Sequence, residues 1–360
     1  MTPTQPGPGP CPRASRPARA RRGLARLAWC LAAIVPTALA ASGTEEFLFI
    51  SSRSGIPQVY LQSGHGQAQA LPNQPGAAFS AAWSPDGSSI AIVAAAGPTA
   101  HICVHDVASG RSRQLTHGPH LNDSPAWSPD SRHLVFVSQR DGNQEVYRMR
   151  ADGSELTRLT RYAEDDVEPR YSPDGKRILF LRNQNRRDVW VMDADGGNPV
   201  NLTRSPGKDD SHAVWSPDSQ RVLFVTRSNQ TAEYRSVDAS SGQDERPLTR
   251  NGGYNHGLSH SPDGRWVAFV SNAGASSGNL WLARADGSDA RQLTRSALDD
   301  SAPQWAPDGR SLVFASARDV RPAVFRLWLE DLKLERLAAS TGQDFLPQIR
   351  PMSRDPGKAP

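Results

Sequence analysis

The chain has 360 residues, with 41 Lys and Arg against 37 Asp and Glu. The basic excess sits in the first 26 residues, where Arg13, Arg16, Arg19, Arg21, Arg22 and Arg26 stand without an acid; residues 27–360 carry 35 basic against 37 acidic side chains. That balance excludes the clustered positive charge of a nucleic-acid footprint, and a single cysteine beyond the leader, Cys103, excludes an internal disulfide.

The first element is a leader. A basic stretch precedes an apolar run from Leu27 to Ala40 that ends in small residues, Ala38-Leu39-Ala40-Ala41. This order is that of a secretory signal peptide over residues 1–40. The run is short for a membrane span. Arg21-Arg22 fits twin-arginine export as well as the general route, and Trp29 before Cys30 speaks against a lipid-anchoring signal. The mature chain is therefore expected in the periplasm or outside the cell, as a mildly acidic monomer without a transmembrane segment.

From residue 41 to 351 one unit repeats. Its mark is Trp83-Ser84-Pro85-Asp86-Gly87, which returns as Trp127-Ser128-Pro129-Asp130, Tyr171-Ser172-Pro173-Asp174-Gly175, Trp215-Ser216-Pro217-Asp218, His260-Ser261-Pro262-Asp263-Gly264 and Trp305-Ala306-Pro307-Asp308-Gly309. The prolines at 85, 129, 173, 217, 262 and 307 are 44 or 45 residues apart. That period, filled with short strands, is the signature of a β-propeller. In one unit the strands read Pro125–Trp127, His133–Val137, Glu145–Met149 and Leu156–Thr160, separated by turn residues. The Pro-Asp and Asp-Gly steps are turn chemistry, because Pro presets φ and Gly accepts φ > 0.

The first unit, residues 46–71, has strands two to four but no first strand. The missing piece is at the other end, where Asp344-Phe345-Leu346-Pro347-Gln348-Ile349 parallels Asp300-Ser301-Ala302-Pro303-Gln304-Trp305. The expected fold is thus an all-β, seven-bladed propeller closed by the C-terminal strand on the N-terminal blade, with six blades as the alternative. Closure removes sheet edges that would invite aggregation. Residues 352–360 read as a disordered tail.

Five places before each motif aromatic, the inner strands carry Ala78, Asn122, Asp166, Asp210, Asn255, Asp300 and Asp344. Six oxygen-bearing side chains at one end of a channel suit a ligand: a hard cation such as Ca²⁺ at Asp166, Asp210, Asp300 and Asp344, or a cationic group of a partner. The alternative is structural, with these side chains bonding backbone N–H groups or the recurring Arg53, Arg140, Arg182, Arg227 and Arg318. His212, His256 and His260 lie on neighbouring strands, but without the tight spacing of a metal site. The repeat aromatics read as blade packing and Cys103 as a small buried hydrophobe.

Taken together, the Asp-x-x-x-Pro/Ala-x-Trp-Ser-Pro-Asp-Gly pattern, Val189–Gly197 (VWVMDADGG) and Asn201-Leu202-Thr203 resemble the repeat of the TolB propeller family over residues 46–350. The resemblance implies a periplasmic, non-catalytic protein- or peptide-binding module whose channel mouth receives a partner, a Pal-like lipoprotein in the family, and whose channel can hold calcium. Here it implies a stand-alone propeller without the family's N-terminal α/β domain. The absence of a Gly-x-Ser-x-Gly elbow separates the chain from prolyl-peptidase relatives. A metal-dependent polysaccharide lyase of the oligogalacturonate lyase type is the enzymatic alternative, and a carbohydrate-binding propeller a further one.

Overall fold

The computed structural model describes residues 45–352 apart from 75, 205, 206, 229, 230, 320 and 339–341. The expected signal segment and the tail beyond Met352 lie outside the described residues. The strands form seven antiparallel sheets of four strands each. Blade 1 holds Glu46–Ser51, Gln58–Ser63 and Gln69–Ala70, and receives Asp344–Ile349 as its inner strand. The inner strands of blades 2 to 7 are Ala77–Trp83, Asn122–Trp127, Asp165–Tyr171, Asp209–Trp215, Asn255–His260 and Asp300–Trp305. The closing strand pairs Phe47 with Ile349 and Ser51 with Asp344, and Ser52 N–H donates to the Gln343 carbonyl at 3.1 Å. The seven-blade count and the C-terminal closure are therefore as the repeat predicts.

Blade packing follows from sequence. The second strands are apolar along their length, as in Leu134–Val137, because both faces of each sheet are covered by a neighbouring blade. The core is accordingly distributed among the seams. Leu179 and Val191 of blade 4 pack with Val222 and Phe224 of blade 5, and Phe47 and Tyr60 of blade 1 with Val313 and Val324 of blade 7.

The repeated motif residues serve these joints. Ser84 Oγ donates to Asp86 at 2.6 Å and accepts from Ser89 N–H at 2.9 Å, closing the turn after the inner strand; Ser172 and Asp174 do the same. The indole N–H groups of Trp127, Trp215 and Trp305 reach back to carbonyls of the preceding inner strand (Ala82, Arg170 and Ser259) at 3.0–3.2 Å. The Leu-Thr pair that ends each unit also has a role: Thr160 and Thr294 accept the N–H of Val146 and Leu280 at 2.9 Å. That side-chain bond ends the ladder early, so the fourth strand of blade 3 is only Thr157–Arg158, shorter than the pattern suggests. The first strand is longer and begins at Asn122. Cys103 is buried, and burial pushes its thiol up to about 11.

The inner strands start on one face of the ring, here the front, and end at the Ser-Pro-Asp turns on the back.

Candidate functional site

The ring residues do not face the channel. Asn122, Asp166, Asp210, Asn255, Asp300 and Asp344 are all 0% exposed. Each sits opposite a residue of the second strand 16 positions later: Asn122 faces Ser138, Asp166 Arg182, Asp210 Thr226, Asn255 Ser271 and Asp300 Ser316. Closure gives Asp344 the equivalent partner, Ser51.

Around this pair is a repeated latch. In blade 7, Asp300 accepts Ser316 Oγ and Thr294 Oγ1, both at 2.6 Å, and Arg318 Nη2 at 2.8 and 3.0 Å. Arg318 Nε donates to the same Ser316 hydroxyl at 2.8 Å, and its guanidinium lies over Phe314 and Phe325. Blade 1 repeats it with Asp344, Arg53, Ser51, Phe49 and Tyr60; blade 3 does so with Asn122, Arg140, Ser138, Phe136 and Tyr147. In blade 4 the arginine itself takes the hydroxyl's place: Arg182 holds both oxygens of Asp166, at 2.7 and 2.9 Å, under Trp190 and Tyr162. In blade 6 Asn251 substitutes, bonding Asn255 and Ser271 at 3.0 and 2.9 Å. Blade 2 has no polar pair, since Ala78 faces Ala94. Thr294 reaches Asp300 from the previous blade, and Asn122 and Asn255 donate to Ala100 and Ala232 carbonyls one blade back. The ring therefore stitches seams between blades.

This arrangement does not fit calcium. A cation would have to displace the guanidinium groups that already occupy the oxygens of Asp166, Asp300 and Asp344. Among the described residues no three His, Cys, Asp or Glu side chains gather closely enough to hold a metal ion. The four carboxylates at which calcium is expected, Asp166, Asp210, Asp300 and Asp344, are thus buried and each bonded to a partner in its own blade. The low exposure of each carboxylate and its own local partner dictate the structural alternative.

The channel is faced instead by the next two residues. A bulge follows the ring position in every inner strand, seen as a register slip between Asp123 and Ala126, Val167 and Arg170, Ser211 and Val214, and their equivalents. At its centre φ is positive in six of the seven, 51° at Ser124, 53° at Glu168, 50° at His212, 67° at Gly257, 50° at Ala302 and 51° at Leu346, while the slip at Phe79 in blade 2 has no positive φ. The lining thus begins with Phe79, Asp123 and Ser124, Val167 and Glu168, His212, His256, and Phe345 and Leu346, while Ser211 is buried. Unlike the ring, it does not repeat chemically.

Two sectors result. Blades 2 to 4 enclose a cavity of about 400 Å³ lined by Phe79, Leu121, Val137, Val167, Asp123 and Glu168 among others. Blades 4 to 6 are charged. Arg187 holds Asp209 through Nε and Nη2 at 3.1 and 2.7 Å, and this ion pair lowers the Asp209 carboxyl below its ordinary range. Desolvation in the mouth lowers His212 although much of its ring still meets solvent; Glu168 opposes this, while Arg227, Arg187 and Arg170 add to it. His256 is lowered by burial and by His212. His260 stands apart in the repeat-aromatic position. Neither of its ring nitrogens finds a hydrogen-bond partner among the described residues, and burial brings it down to about 4, so it is a neutral packing group.

The front face also collects exposed apolar side chains. Of the 11 large hydrophobic residues that are exposed among those described, Ile56, Phe79, Leu121, Tyr162, Tyr254, Leu298 and Leu346 lie at or beside the starts of inner strands or in the loops beside them. None of these belongs to the repeat motif.

The family model for the TolB beta propeller domain matches residues 66–288 and 186–355. No curated protein matches the chain in sequence. Among solved structures, a protein assigned as TolB from Agrobacterium tumefaciens superposes with a TM-score of 0.53 at 25% identity, over 69% of this chain and 97% of that one. TolB from Acinetobacter baumannii gives 0.57 at 20% identity, over 82% and 79% of the two chains. Oligogalacturonate lyase in complex with manganese gives 0.66 at 18% identity, over 78% and 85%. The last two likenesses are of fold alone.

Proposed function

The chain belongs to the TolB beta propeller domain family, and from that premise we propose that it is an exported, non-catalytic module that binds another envelope protein, or a peptide segment of one, on its front face. The observation that carries this reading is a cavity of about 400 Å³ lined by exposed Phe79 and Leu121, on a front face where Tyr254, Leu298 and Leu346 are exposed as well. Exposed apolar side chains beside a cavity with charged neighbours are what a protein interface uses. Among the described residues no helix is long and apolar enough to cross a membrane. A Pal-like lipoprotein is one partner of the right class, and the leader read in residues 1–40 would bring the protein to it. The lyase alternative draws less support, because His260 is buried in a blade seam away from His212 and His256.

A photo-cross-linking side chain in place of Phe79 tests the reading in intact cells. The expected result is a discrete adduct in the envelope fraction from position 79, and none from position 332 on the back face. Absence of an adduct from positions 79, 121 and 346 alike would overturn it, as would polysaccharide cleavage by the purified protein that His212→Ala abolishes.

A further inference from the structure

Arg227 is the exception among the recurring arginines. The three full latches place their arginine two residues after the hydroxyl residue: Arg53 after Ser51, Arg140 after Ser138, Arg318 after Ser316. Arg227 comes one residue after Thr226, so strand alternation turns it to the other side of the sheet. In this blade Thr226 donates to Asp210. The aromatic platform is missing too. Where blades 1, 3 and 7 have Tyr60, Tyr147 and Phe325 opposite the second-strand Phe, blade 5 has Arg235 opposite Phe224. Arg227 therefore lies over Tyr254 on the front face, 5.2 Å from the ring centre, with a buried Nε that has no hydrogen-bond partner among the described residues. An unpaired guanidinium N–H buried from water is costly unless something else satisfies it.

Its surroundings continue the apolar cavity. Glu168, which lines that cavity, is an electrostatic neighbour of His212; His212 in turn neighbours Arg227 and His256. The acids nearby are engaged elsewhere: Asp209 is held by Arg187, and Asp299 accepts Gly278 N–H at 2.7 Å. Glu168 remains as a local charge that weakens an anion's attraction here.

We infer that Arg227, with His212 and His256 beside it, receives the side-chain carboxylate of an Asp or Glu on a bound segment whose apolar side chain fills the cavity of blades 2 to 4. This rests on the peptide-binding reading of the front face and adds the chemistry of its ligand. A segment lying across the mouth is favoured over an inserted chain end, because the exposed apolar residues run from Ile56 in blade 1 to Leu298 before blade 7. A planar guanidinium suits a carboxylate in particular.

The test uses a random 12-residue peptide display selected on the full protein, with binding of the recovered peptides then measured by fluorescence polarisation. The expected peptides pair an aromatic or large aliphatic residue with Asp or Glu. Arg227→Gln should weaken them about tenfold or more, Arg227→Lys much less, and replacement of the peptide acid by its amide should match the Arg227→Gln loss. Amidation of the peptide C-terminus should change nothing. Peptides that require Phe79 but are indifferent to Arg227→Gln would overturn the inference while leaving the binding face intact. Peptides whose binding survives Phe79→Asp would instead remove the face itself. Because the Arg227 guanidinium stacks on an exposed ring and not on a carboxylate, a melting curve of Arg227→Gln that overlays the wild type is the control for folding.

Discussion

Two adjacent positions on the same seven strands have opposite fates. The ring position, occupied by Asn122, Asp166, Asp210, Asn255, Asp300 and Asp344, is wholly buried and bonded within its own blade, and at Asn122, Asn255 and Asp300 to the blade before as well. One or two residues on, Phe79, Val167, His212, His256 and Leu346 line the mouth. Ring residues resemble one another from blade to blade because each solves the same seam. The lining differs because nothing about closing a ring requires it to be the same. In a chain built from copies, regularity marks the fold, and departures from it mark the places free to take up a ligand.

The largest effect expected on the repeated side is at closure. Ending the chain before Gly342 removes the inner strand of blade 1 and exposes the edge of Glu46–Ser51. Loss of cooperative melting, or aggregation, should result; a truncated protein with the wild-type melting temperature would mean that the closing strand is dispensable.

Next in size is a direct contrast within one strand. Asp300→Ala leaves Arg318, Ser316 and Thr294 without their acceptor in a buried site and should cost about 3–5 kcal/mol. Ser301→Ala, the adjacent residue, should stay within about 0.5 kcal/mol. Urea denaturation of both variants reads the difference, and equal losses would erase the distinction between ring and lining.

A smaller effect separates packing from chemistry among the histidines. His260 in the folded protein is near 4 against an ordinary value of 6.5, so the unfolded chain takes up its proton first as the pH falls. Its contribution is fully present above about 6.5 and is lost between there and about 4. The turn acids Asp86, Asp130, Asp174, Asp218 and Asp263 act at lower pH. Burial raises them, but their serine and backbone bonds outweigh it and hold them below the ordinary value. Their stabilisation is lost only as the pH drops through those lowered values. His260→Phe should therefore make the stability profile less steep from pH 6.5 to 4, with the remaining slope carried by His101, His105, His212 and His256, which burial also lowers, and leave the more acid limb unchanged. An unaltered profile in that window would show that His260 is not a neutral packing group.

Much of the fold is legible in the sequence. The 44- or 45-residue period predicts the blades, and the parallel between Asp344–Ile349 and Asp300–Trp305 predicts the closure. The ring residues and most of the arginines that answer them are also visible as recurring letters. Their direction is not, because a bulge with positive φ decides which of two neighbouring residues meets the channel, and no single letter encodes it. Only Gly257 among the bulge residues hints at φ > 0; Glu168, His212 and Leu346 conceal it. Phe79, Leu121 and Arg227 escape notice for a different reason, since they break the repeat instead of obeying it. Phe79 stands one residue beyond the ring, where Asp123, Val167, Ser211, His256, Ser301 and Phe345 share no chemistry, and the register of Arg227 relative to Thr226 already puts it out of line.

The central claim is that the ring holds the fold and the lining holds the ligand. Two triple variants test it in one paired measurement of melting temperature and affinity for the selected peptides: Asp166→Asn, Asp210→Asn and Asp300→Asn in one, Phe79→Ser, Leu121→Ser and Leu346→Ser in the other. The ring variant should melt well below the wild type yet bind the peptides undiminished while folded, and the lining variant should melt with the wild type and lose binding. A ring variant that keeps its melting temperature and loses its ligand would contradict the claim and return the site to the buried acids.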